Sequence, residues 1–102
     1  MRYKIDRHGI PRLKDGKLCL SRNWAAIIRT LYRQPGHRVE SARQLADAVV
    51  AQERFSWWNI YKRWKTIPVG LVKRTRIGRQ YELRLTRAAR DIVAKGDFGR
   101  IY

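Results

Sequence analysis

Apolar residues recur at two different periods along this chain, and where the period changes bounds the folds open to it. In the segments between Trp24 and Ile67 they return every three or four positions, the spacing of an amphipathic helix. From Tyr81 to Leu85 the apolar positions alternate strictly, the spacing of a strand with one buried face. Between the two stands Pro68-Val-Gly70, where proline cannot continue a helix and glycine lets the chain reverse. After Thr86 the helical spacing returns in Ala88, Ala89, Ile92 and Val93. This pattern predicts an α+β fold, mainly α. With 102 residues and 44% apolar content, the chain can build one compact core but not two.

Local signals set the boundaries. Ser21 is the expected N-cap of a helix over about 22–34, with Trp24, Ile27, Ile28 and Leu31 on one face and Pro35-Gly36 as its stop. His37 to Glu40 reads as a short extended piece. Ser41-Ala-Arg-Gln44 is a capping-box pattern that opens a second helix over about 42–51, with Ala42, Leu45, Ala46 and Val49 inward. Ser56 caps a third helix over about 57–66, with Trp57, Ile60, Trp64 and Ile67 inward. Leu71 to Arg76, a turn at Ile77-Gly-Arg-Gln80, and Tyr81 to Leu85 make a hairpin. Thr86 caps a last helix over about 87–95, which Gly96 stops. Residues 1–20 read equally well as a hairpin around Asp15-Gly16 or as an irregular basic arm, and 97–102 as a tail. The organisation is therefore an N-terminal segment 1–20, a domain 21–96 and a tail 97–102.

Charge narrows the function. There are 24 Lys and Arg against 8 Asp and Glu, a formal net charge of +16. Such an excess repels itself in the folded state, and a polyanionic partner is its natural reason. The excess is uneven: residues 24–53 hold four basic and three acidic residues, whereas 54–90 hold eleven basic residues and one acid, Glu82. Residues 1–23 add seven basic residues against two acids. Cys19 alone cannot form an internal disulfide, Met1 is followed by no apolar leader, and no apolar run could span a bilayer. The expectation is a soluble protein of the cytoplasm that does not enter membranes.

Helix, short strand, helix, helix, hairpin, helix is the order of a winged helix-turn-helix domain, with a three-helix core, a basic β-hairpin wing and a C-terminal helix. The local wording resembles that family as well. Gln44-Leu-Ala-Asp47 is similar to the start of the second helix in many bacterial and archaeal regulators. Ile60-Tyr-Lys-Arg-Trp64, Gly70-Leu-Val-Lys-Arg74 and Tyr81-Glu-Leu-Arg-Leu-Thr86 resemble the recognition helix, wing and following helix start of MarR-like and PadR-like transcriptional regulators. The resemblance covers roughly 24–95. It departs in the segment Ala51 to Phe55, which lacks glycine, and at Pro68-Val69, where a polar pair is usual. It implies double-stranded DNA binding by a sequence-specific transcriptional regulator, a repressor.

A recognition helix needs donors on its exposed face and a core behind it. Ser56, Trp58, Asn59, Lys62, Arg63 and Lys65 are the candidates on the third helix, with Asn59 suited to pair bidentately with adenine. Lys73, Arg74, Arg76 and Arg79 form the candidate wing, a phosphate clamp with no acid among them. Arg84, Arg87 and Arg90 extend the basic face. Ser21 and Ser41 are read as caps before they are read as phosphate contacts. Trp58 should meet a groove wall, a sugar or another protein. His8 and His37 are isolated, no residues have metal-ligand spacing, and no glycine loop suits a nucleotide phosphate, so an enzyme, a metal and a cofactor are all unexpected. RNA binding in a ribonucleoprotein, an accessory subunit of a replication or recombination complex, and a homodimer stay open as alternatives.

Overall fold

Side-chain caps start three of the four helices. Ser21 Oγ accepts from the Trp24 amide at 3.1 Å, Ser41 Oγ from the Gln44 amide at 3.1 Å, and Thr86 Oγ1 from the Ala89 amide at 3.1 Å. Each satisfies one of the donors that a helix leaves open in its first turn. Gln44 in turn reaches back past the cap, its Oε1 accepting the amide of Glu40, the residue before Ser41, at 2.6 Å.

The computed structural model describes residues 3–96, 98, 100 and 101. The elements run β1 (Lys4–Ile5), β2 (Pro11–Arg12), β3 (Cys19–Leu20), α1 (Arg22–Arg33), β4 (Arg38–Val39), α2 (Ala42–Gln52), α3 (Trp57–Arg63), β5 (Val72–Ile77), β6 (Gln80–Leu85), α4 (Arg87–Lys95) and β7 (Arg100–Ile101). Together they make an α+β fold of four helices and a small antiparallel sheet. In that sheet the order is β4-β6-β5, with Val39 opposite Leu83 and Val72 opposite Leu85. The hairpin closes through two residues, and Gly78 supplies the positive φ, 63°, at the first of them.

α1 is the centre of the core. Ala25, Ala26, Ile27, Ile28 and Leu31 are fully enclosed, among Leu45, Ala46 and Val49 of α2, Ile60 of α3, Val39, Val72, Leu83 and Leu85 of the sheet, and Ala89 of α4. Each fully buried Ile or Leu contributes about 1.5–3 kcal/mol relative to exposure.

Residues 4–20 are structured. β1 and β2 pair antiparallel, and Asp6 holds the turn between them by accepting the His8 amide at 2.8 Å and the Ile10 amide at 3.0 Å. A second turn at Asp15-Gly16 brings Leu18 back beside Arg12. Ile10, Leu18, Cys19 and Leu20 enter the core, and Pro11 stands at the first position of β2, where its missing donor is tolerated. The first turn is keyed into the rest of the fold by a backbone contact between glycines. A Cβ at Gly70 would overlap the carbonyl oxygens of His8 and Gly9. β7 runs parallel beside β3, so this part of the 97–102 tail is paired; Asp97, Gly99 and Tyr102 lie outside the described residues.

Several positions differ from the sequence expectations. The third helix ends at Arg63 and tightens into a 3₁₀ turn, Trp64–Thr66. Ser56 occupies the N-cap position of α3, but its side chain makes no capping hydrogen bond. Trp57, expected inward, is only half-buried at the edge of the core, where it stacks on Tyr61 and donates to Asp47. Ala88 is exposed, and α4 presents only Ala89 fully to the core, with Ile92 and Val93 partly covered.

Candidate nucleic-acid interface

α3 has seven residues, too few to hold its own orientation, and it is fixed from three directions. At its start Trp57 Nε1 donates to Asp47 Oδ1 at 2.7 Å, tying it to α2. Beneath it Ile60 and Trp64 are buried. At its end Thr66 Oγ1 donates to the Arg63 carbonyl at 2.7 Å and accepts from Trp24 Nε1 of α1 at 3.0 Å. The loop before α3 is held by Arg29, whose guanidinium pairs both oxygens of Glu53 at 2.5 and 3.1 Å.

Arg74 completes the frame. Its guanidinium donates to the carbonyl oxygens of Trp64 at 3.3 Å, Lys65 at 2.9 Å and Ile67 at 2.5 Å, the orphan acceptors where the helix ends. It also lies 5.7 Å from the centre of the Trp64 ring. Burial lowers its pKa from the ordinary arginine value. Sequence reading grouped Arg74 with the phosphate-clamping residues of the hairpin. In the fold its Nη2 is turned onto backbone carbonyls, and the side chain is a strut between β5 and the end of α3.

Strand alternation divides the other hairpin residues. Register pairs Lys73 with Arg84 and Arg84 with Arg38, so these three share the outer face of the sheet. Glu82 sits on the same face and pairs Arg38 at 3.3 Å and Arg84 at 3.4 Å. Arg76 lies opposite Tyr81 on the other face, exposed, with Nε donating to the Gly78 carbonyl at 3.2 Å. Arg79 stands at the two-residue tip. Lys73 therefore faces away from the side that carries Arg76 and Tyr81.

α3 and the hairpin tip meet across an open groove of about 710 Å³. Tyr61, Lys62, Trp64 and Lys65 form one wall, Arg79, Gln80 and Tyr81 the other, and Ser41 to Arg43 close the end. Its four cations are Arg43, Lys62, Lys65 and Arg79, and no carboxylate lines it. Among the described residues the ion pairs involve Arg12, Arg29, Arg38 and Arg84 only, so none neutralises the groove. On the outward side of α3, Trp58, Asn59, Lys62 and Arg63 are exposed; Asn59, Lys62 and Arg63 share a face at spacings of three and four. Trp58 is 62% exposed and touches Trp57 and Tyr61 edge-on, at ring separations of 5.2 and 6.0 Å.

Of the residues singled out from sequence, Lys62, Lys65 and Arg79 are brought together in the groove. Trp58, Asn59 and Arg63 lie on the outer surface of α3, Arg76 is on the hairpin, and Ser56 precedes the helix as an exposed residue. Arg43, Tyr61, Gln80 and Tyr81 line the groove and were not among them. Arg43 did carry a signal. It sits in the first turn of α2, where a cation opposes the helix dipole, and no acid balances it there.

Among the described residues no group of three or more His, Cys, Asp or Glu is placed to hold a metal ion, and no helix is long and apolar enough to cross a membrane. Comparison with protein-family models, with curated proteins and with solved structures gave no match.

Proposed function

We propose that this chain is a winged helix-turn-helix protein that binds double-stranded DNA and acts as a sequence-specific transcriptional regulator of the repressor kind. The observation that carries the reading is the groove, in which four cations from three elements converge with no carboxylate among them. Like charges so placed repel one another, and a phosphate backbone relieves that repulsion while releasing its own counterions. The fold reading is supported by the order α1-β4-α2-α3-β5-β6-α4 and by the pairing of the short strand β4 with the far strand of the hairpin.

In this reading α3 enters the major groove. Asn59 and Arg63 face base edges, Lys62 and Lys65 meet phosphates, and Arg79 at the hairpin tip grips the adjoining backbone. Arg74 does not touch DNA; it fixes the angle between the helix and the wing. The test is selection of bound duplexes from a random pool at near-physiological salt. A short shared motif supports specific recognition, and an inverted repeat indicates a homodimer. Recovery of unrelated duplexes with equal affinity contradicts it.

A second reading is favoured by one observation, the exposure of Trp58 beside Trp57 and Tyr61. An accessory subunit of a DNA-processing complex would dock a protein partner there.

A further inference from the structure

The groove between α3 and the β5–β6 hairpin carries more than charge. Its cations alone would serve a phosphate backbone, yet Tyr61 and Tyr81 stand among them. Tyr61 has one ring face covered by Trp57, stacked at 4.9 Å and 14°, and is half-buried. Tyr81 is 37% exposed and leans on Trp64 with ring centres 5.7 Å apart. Aromatic rings left partly open beside cations gain most from an occupant that offers both a π-face and a negative charge. Bases inside a duplex have their faces covered by their neighbours in the stack. Unpaired bases present a face with a phosphate next to it, and cationic grooves that hold single strands combine these same two features.

We propose that this groove holds an unpaired DNA strand, with its bases on Tyr61 and Tyr81 and its phosphates on Arg43, Lys62, Lys65 and Arg79, so that the chain prefers junctions between duplex and single strand. The inference rests on the nucleic-acid reading above and deepens it. The outer face of α3 takes the duplex, whose bordering phosphates meet Lys62, Lys65 and Arg79 where both strands are paired; at a junction the groove takes the strand that leaves.

The experiment measures fluorescence anisotropy of the full chain with a blunt DNA duplex, the same duplex bearing a single-stranded thymine tail, and the single strand alone. The expected result is about tenfold tighter binding to the tailed duplex than to the blunt one. Tyr81→Ala should remove that gain, read as the ratio of tailed to blunt affinity within the same variant, and Tyr81→Phe, which keeps the ring and the packing on Trp64, should retain it. Equal affinity for tailed and blunt duplexes, or a gain that survives in Tyr81→Ala, overturns the inference and leaves the duplex reading standing. Single strand bound as tightly as the tailed duplex supports the groove assignment and overturns the duplex reading. Binding to none of the three overturns both.

Discussion

Arg74 and Trp64 are joined twice: the guanidinium donates to the Trp64 carbonyl oxygen at 3.3 Å and lies 5.7 Å from the centre of the Trp64 ring. Through this contact the angle between α3 and the hairpin becomes a property of one side chain. Arg74→Ala leaves three carbonyls at a helix end without their donor and should cost about 1–3 kcal/mol of stability in chemical denaturation. Duplex affinity should fall too, with no change in its salt dependence, since no phosphate contact is lost. Arg74→Lys should not fully restore stability, because the shorter lysine stem does not reach the position of Nη2 and an ammonium lacks the planar group that lies over the Trp64 ring.

Gly70 and Gly9 test whether the N-terminal hairpin belongs to the folded unit. Gly70→Ala places a methyl group against the carbonyl oxygens of His8 and Gly9, backbone that cannot swing aside. The expected loss is about 1–3 kcal/mol, accompanied by faster amide exchange through residues 4–12. Wild-type stability and exchange in this variant would mean that the contact is slack.

Asp6 gives that hairpin a pH dependence. Its carboxyl is held below the ordinary value of 3.8, first by the Ile10 amide, against some desolvation, and further by Arg12 and the His8 amide. Because the folded pKa is the lower one, the stabilisation is complete above about 3.8 and is lost as pH falls through the folded value. Asp6→Asn cannot lose what it lacks, so the stability difference between the two proteins should shrink in acid. A difference that persists unchanged down to about pH 2 contradicts this role for the carboxylate.

How much of this was legible in the sequence depended on whether a signal was local. Ser21 with Trp24, and Ser41 with Gln44, each lie within one helical turn, and both caps form. The inward set of α1 is likewise fixed by spacing alone. The hairpin was harder: Val72-Lys-Arg-Thr-Arg-Ile77 has no apolar alternation, so nothing local says that Arg74 faces in and Lys73 out. The answer lies across the ladder, where Leu83 opposes Arg74 and draws it to the core face. A two-residue turn at Gly78-Arg79, taken seriously, would have yielded that register. The three-way use of Arg74 and the pairing of β3 with β7 were not legible, since they join residues distant in sequence. Tyr61 and Tyr81 were hidden for another reason. At helical or strand spacing an aromatic reads as packing, and only the facing wall shows that both line a groove.

Asn59 separates readout from adhesion. Asn59→Ala should cost about 1–3 kcal/mol on the selected site and nothing comparable on unrelated duplex, with tolerance relaxed at one base position. An equal loss on every sequence assigns the side chain to the backbone. Trp58→Ala should leave duplex affinity within about twofold; a loss confined to capture of a protein partner favours the docking reading.

The central claim is that α3 and the hairpin tip act on one polyphosphate. Its most direct test is the slope of log affinity against log salt for duplex DNA, compared between the wild type and the Lys62→Ala, Arg79→Ala double variant. Each phosphate contact removed should flatten the slope by about one, so a change of about two is predicted. A slope equal to that of the wild type would contradict the account.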